Sequence, residues 1–158
     1  MVQKSAHNSI WKTTDVMIII TLVAGFILDI FGLSLGSIPF SPLFRLFFGS
    51  FFILVGLSLI LLAKKAFNKK KQPSGPGKPT TKIVDDGIFK YSRNPLYLGI
   101  VITLIGGGIT FDNLWFIVLV IPLIAVIHFA LIIPEEQYLL DIFGKDYEVY
   151  LKNVRRWL

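Results

Sequence analysis

The chain has 158 residues, 54% of them hydrophobic and 16% charged, with a mean hydropathy of +0.69 and a formal net charge of +6. Soluble domains carry about 25% charged residues, and so short a chain cannot hide this apolar excess in a core of its own, so the composition points to a bilayer. Cysteine is absent and the histidines are His7 and His128, which excludes disulfides and thiolate chemistry and leaves no His-rich metal site to expect.

Four apolar stretches predict transmembrane helices at about 16–35, 43–63, 95–111 and 114–133, each near the length that crosses hydrocarbon. The first is too long for a cleaved signal peptide and lacks its small-residue ending. Thr14 and Asp15 are placed to cap it, with Trp11 at the interface. Asp29 and Arg45, near the outer ends of the first two spans, read as a structural pair or as separately snorkelling groups. Gly106, Gly107 and Gly108 in the third stretch suit close helix packing; they do not form a dinucleotide fingerprint, and Gly77-Lys78 lacks the residues of a phosphate loop.

Residues 64–94 form the one long polar connection. Lys69-Lys70-Lys71 and Pro73-Ser74-Gly75-Pro76-Gly77 predict a flexible linker, whereas Ile83, Val84, Ile88, Phe89 and Tyr91 can pack. Beyond the fourth span, Pro134-Glu135-Glu136 predicts a new helix or a sharply kinked continuation. Gly144 reads as a helix stop, and the stripes Leu139, Ile142, Phe143 and Tyr147, Tyr150, Leu151, Val154 predict amphipathic C-terminal helices within 135–157. The expected architecture is a single all-α membrane domain over 1–158, its cytoplasmic loop and C-terminal helices lying over a site.

Fifteen of the 16 basic residues fall on one side of this arrangement: Lys4 and Lys12, nine between Lys64 and Arg93, then Lys145, Lys152, Arg155 and Arg156, with Arg45 alone opposite. By the positive-inside rule that side is the cytoplasm, which gives a multi-pass protein with both termini inside, in the cell membrane if the source is prokaryotic. Anionic lipid headgroups are the expected partners of these charges, and nucleic acid is not.

Two constellations and one residue can carry chemistry. In Tyr91-Ser92-Arg93-Asn94-Pro95-Leu96-Tyr97-Leu98-Gly99, Asn94 can cap a helix whose first position is Pro95, leaving backbone donors beside Arg93 for an anion; a capped span with a snorkelling arginine is the plain alternative. Glu135 and Glu136 can hold a cation or simply cap a helix, and since helical neighbours point about 100° apart they cannot both aim at one atom. His128 lies inside the fourth span on one expected face with Ile124, Leu131 and Glu135. An ionisable group at such a place is a candidate for function, the alternative being a neutral histidine bonded to a neighbouring helix.

Read together, Asp86-Gly87-Ile88-Phe89-Lys90-Tyr91-Ser92-Arg93-Asn94-Pro95-Leu96-Tyr97-Leu98-Gly99 and Pro134-Glu135-Glu136, Leu139, Phe143-Gly144, Tyr147, Tyr150, Val154-Arg155-Arg156-Trp157 resemble the isoprenylcysteine carboxyl methyltransferase family, whose general pattern the phospholipid N-methyltransferases share. The resemblance covers roughly residues 78–158. It implies an integral membrane enzyme that uses S-adenosylmethionine, with Tyr91, Arg93, Asn94, Pro95, Tyr97, Leu98 and Gly99 lining the cofactor and Glu135 or Glu136 holding its amino group. Asn94 stands where other members carry histidine, and the arginine often found shortly before the glutamate pair is missing.

The implied reaction is methylation of a lipid or lipidated acceptor entering sideways from the bilayer, carboxyl O-methylation being placed ahead of phospholipid amine N-methylation. An amine acceptor must shed a proton, for which His128 or a glutamate is the candidate base. The rival classes are a membrane sterol reductase, whose chains are much longer, and a small helical scaffold or lipid-binding protein in which both motifs only cap helices.

Overall fold

The computed structural model describes residues 11–33, 35–72 and 80–158, with side chains from Val16 onward. Lys4, His7, Lys78 and the Pro73–Gly77 linker therefore lie outside the described residues, as do the side chains of Trp11, Lys12, Thr14 and Asp15. Among the described residues every regular element is helical: α1 (Trp11–Ile30), α2 (Pro42–Lys69), a 3₁₀ turn (Gly87–Lys90), α3 (Pro95–Thr110), α4 (Leu114–Val126), a π-helical turn (Ile127–Ile132), α5 (Ile133–Phe143) and α6 (Lys145–Asn153). Two bodies are long and apolar enough to cross a membrane, Pro42–Lys69 and Leu114–Phe143; Val16–Ile30 and Pro95–Thr110 are shorter apolar helices.

Helix α1 is displaced toward the N-terminus relative to its apolar run. It is already formed at Trp11, so Thr14 and Asp15 lie inside it rather than capping it. Its end is set by Gly32, whose φ of +77° is left-handed; Gly32 N–H donates to Asp29 O and Leu33 N–H to Leu28 O, the paired bonds that close a helix at a glycine. Helix α2 starts with Ser41 accepting from the Phe44 N–H and Pro42 in the first turn, and it continues past the apolar run through Lys64 and Lys65.

The chain folds as a row, α1 against α4, α4 against α3 and α3 against α2. The α2–α3 seam is antiparallel and glycine-built. A Cβ on Gly56 would stand 2.6 Å from Gly99 O, and one on Gly49 2.7 Å from Gly106 O, too close for any side chain. The two pairs recur at a spacing of seven on both helices, and Thr103 and Thr110 each return their hydroxyls to the carbonyls of Gly99 and Gly106. Of the Gly106–Gly108 triplet, Gly106 serves this seam and Gly108 faces Asn113 and Ile117 across the α3–α4 turn, while Gly107 has nothing nearer than 3.9 Å. An apolar groove of about 340 Å³ separates α1 from α2 over α3, lined by Ile18, Leu22, Ile53, Ile60, Ile100 and Leu104 among others.

Arg45 does not pair with Asp29. It binds Asp112 at 2.9 Å, and Asp112 also accepts from the Ser37 hydroxyl and the Ile38 N–H, tying the α1–α2 connection to the α3–α4 turn. At the opposite end Val84 and Phe89 are buried on Ala63 and Ala66 of α2, so the second half of the long connection is packed. Tyr91 differs from that expectation, being 72% exposed.

Helices α4 and α5 form one continuous body rather than a span followed by a new helix. Pro134 has no N–H for the carbonyl four residues back, and the chain widens by a π turn immediately before it, with Ile133 N–H reaching His128 O. Gly144, at φ +52°, then separates α5 from α6 as its position implies.

Candidate functional site

The N-terminus of α3, the π turn with α5, and the segment after α6 converge at one end of the bundle. Glu136 is the centre. It is buried, and its carboxylate takes two guanidiniums: Arg93 Nη1 lies 3.2 Å from Oε1, while Arg156 donates from Nε to Oε1 at 3.1 Å and from Nη2 to Oε2 at 2.6 Å. Those bonds raise the Arg156 pKa above the ordinary guanidinium value and keep it charged.

Arg156 also reaches His128, with Nη1 3.3 Å from Nε2. A guanidinium only donates, so Nε2 accepts and the ring proton sits on Nδ1. The backbone of the same segment is held as well: Arg93 N–H donates to Arg155 O at 3.0 Å and Asn94 Nδ2 to Arg156 O at 2.9 Å. Trp157 packs on the apolar core that includes Tyr97, Leu123 and Ile127. The C-terminal strap thus joins Arg93, Asn94, His128 and Glu136, which are distant in sequence.

Several expectations change at this point. Asn94 occupies the cap position of α3 without capping it through its side chain, which is spent on the strap. Ahead of the helix the Arg93 N–H is spent on Arg155 O and the Asn94 N–H on Ser92 Oγ, and in its first turn the Leu98 N–H is spent on Asn94 O. His128 is aligned with Glu136 rather than Glu135 through Arg156, because the π turn inserts about one residue into the helical register. Eight positions then return to the face that seven would have reached.

The remaining predicted residues divide. Pro95 and Tyr97 are buried at the α3 start, and Leu98 is half-buried beside them. Gly99 is consumed by the seam with Gly56. Tyr91 is exposed. Glu135 makes no ion pair or hydrogen bond among the described residues, whereas Glu136 has two cationic partners.

Arg93 contributes a second unspent group. Its Nε is buried and has no hydrogen-bond partner among the described residues, a costly condition for a charged donor. Tyr147 and Tyr150 complete the wall; burial pushes both hydroxyls above the usual phenol range, and the Tyr150 hydroxyl donates to Phe89 O at 2.8 Å. Arg156 was missed as a site residue by the spacing argument, since its partners lie 20, 28 and 62 residues away. Its place in the Val154-Arg155-Arg156-Trp157 run was the available signal.

A cofactor presenting both a carboxylate and an ammonium matches the two groups left over among the described residues, the orphaned Nε of Arg93, whose guanidinium binds Glu136, and the unpaired carboxylate of Glu135, next to Glu136 in the chain. Comparison with known proteins gave no match among curated proteins or solved structures. The family profile described as phospholipid methyltransferase matches residues 44–146, about two-thirds of the chain, a stretch that holds Arg93, Asn94, His128, Glu135 and Glu136 and stops short of Arg156. By that match the chain belongs to the phospholipid methyltransferase family.

Proposed function

We propose that this protein transfers a methyl group from S-adenosylmethionine to the headgroup amine of a phospholipid, working from four helical spans with both termini on the cytoplasmic side. The observation that carries this reading is the buried Arg93 Nε, which has no acceptor among the described residues although the same guanidinium binds Glu136, together with the uncommitted carboxylate of Glu135, the neighbour of Glu136 on α5. Arg93 would hold the methionyl carboxylate and Glu135 the methionyl ammonium, with Asn94, Pro95, Tyr97 and Leu98 forming the wall. When bound, the sulfonium supplies the methyl group. The amine reacts in its neutral form, having given its proton to interfacial water before it enters. Its lone pair takes the methyl carbon as the sulfur leaves as a thioether, and the chain's own residues fix the donor and align the acceptor behind that carbon, which is most of what an in-line displacement requires.

Family membership favours a phospholipid amine over the carboxyl acceptor placed first in the sequence reading. The apolar groove between α1 and α2 suits an acyl chain held within the bilayer. One observation favours the second reading, carboxyl O-methylation of a lipidated acid: the Nε2 of His128 is engaged by Arg156 and is poorly placed to accept a proton, and a carboxylate acceptor has none to lose.

The test is methyl transfer in reconstituted vesicles, using S-adenosylmethionine with a labelled methyl group and either phosphatidylethanolamine or a prenylated cysteine as acceptor. Label in the phospholipid headgroup is expected. Label in the prenylcysteine ester alone transfers the assignment to the second reading, and label in neither contradicts both.

A further inference from the structure

We propose that Arg156 is a ligand-binding residue. With Arg93 it forms a two-guanidinium receptor for a carboxylate or phosphate, and Glu136 is the brace that holds the pair rather than the acceptor of the ligand's cation. The inference rests on the methyltransferase reading only for the identity of the ligand.

Three observations lead there. First, Glu136 is fully committed: both of its oxygens are occupied by guanidinium nitrogens, so an incoming ammonium would meet two positive charges around one negative one. Second, the two arginines carry one more positive charge than their shared carboxylate cancels, and Glu135, the nearest other acid in sequence, pairs with neither. Third, Arg93 Nε is buried with no acceptor among the described residues, so the pair has a donor left over on a side that Glu136 does not cover.

The strap is built to keep Arg156 there. Arg155 O and Arg156 O are gripped by Arg93 and Asn94, the two residues just before α3, Trp157 is seated on the core, and His128 takes the third nitrogen of the guanidinium. A side chain oriented from four directions is preorganised, and a planar guanidinium meets carboxylate or phosphate through paired donors. The anion has two possible sources, the carboxylate of the cofactor's amino-acid end and the phosphate of the lipid acceptor.

The experiment measures affinities of detergent-solubilised wild type, Arg156→Gln and Arg156→Lys for three probes: S-adenosylhomocysteine, its decarboxylated analogue, and dihexanoyl phosphatidylethanolamine. If the cofactor's carboxylate is bound, Arg156→Gln weakens S-adenosylhomocysteine by about tenfold or more and leaves the decarboxylated analogue unchanged. If the lipid phosphate is bound, the loss appears with the phospholipid alone. Arg156→Lys, which keeps the charge without the fork and disturbs the fold least, should fall between the two in whichever arm responds.

Equal affinities in wild type and folded Arg156→Gln for all probes, or no binding of any probe by wild type, overturns the proposal. Failure of wild type to bind S-adenosylhomocysteine while the phospholipid arm responds to Arg156 removes the methyltransferase reading and retains the anion receptor.

Discussion

Glu135 and Glu136 are adjacent and chemically identical, yet their surroundings give them different work. Glu136 neutralises two guanidiniums in a buried corner, so Glu136→Gln should lower stability by about 3–5 kcal/mol, the usual cost of breaking a buried pair. Glu135→Gln, with no partner to abandon, should unfold like wild type. Melting curves of the two variants in the same detergent check this, and equal destabilisation would contradict the division. The sequence made both carboxylates visible but not their difference, because the direction each takes depends on the π turn ahead of Pro134. Spacing arguments assume 3.6 residues per turn, and at His128 that assumption fails by about one residue. The fates of Gly99 and Tyr91 were hidden for a similar reason: a short motif does not say which of its residues faces a neighbouring helix and which faces water.

At the scale of elements, the glycine seam between α2 and α3 has the least tolerance. A methyl group on Gly56 would press on Gly99 O at 2.6 Å, whereas at Gly107 the nearest atom is 3.9 Å away. Gly56→Ala should therefore cost about 1–3 kcal/mol or separate the helices, and Gly107→Ala should be close to neutral; thermal unfolding compares them directly. The Gly106–Gly108 triplet was legible as packing, but the role of Gly49 and Gly56 inside a long apolar run was not, since only the facing helix shows that Gly106 and Gly99 meet them at the same spacing of seven.

The clasp between loops follows a different logic. The Ser37 hydroxyl, the Ile38 N–H and then Arg45 hold the Asp112 carboxyl below its usual range. A depressed carboxylate stabilises the fold above its unfolded pKa and loses that contribution as pH falls through its folded value. Asp112→Asn should thus lower the melting temperature clearly at pH 7 and by less near pH 3. An equal loss at both would show that the clasp acts through shape alone.

For the whole molecule, composition and the distribution of lysine and arginine were enough to read an all-helical chain with membrane-capable helices, and the two clusters that carry the site were visible as motifs on either side of α3 and α4. Their convergence was not visible, because it depends on a strap of five residues folding back across the start of α3. Single cysteines introduced at Ser37 and Lys82 should react with a membrane-impermeant thiol reagent from opposite sides of sealed vesicles; labelling from one side would contradict the proposed four-span orientation.

The central claim is that this corner binds an amino-acid-like nucleoside cofactor, and calorimetric titration of S-adenosylhomocysteine into solubilised wild type and Glu135→Gln tests it most directly. The account predicts saturable one-to-one binding by wild type and an affinity weaker by about tenfold or more in Glu135→Gln, as for a lost charge-assisted contact. No saturable heat from folded wild type, or the same affinity in both proteins, would contradict it.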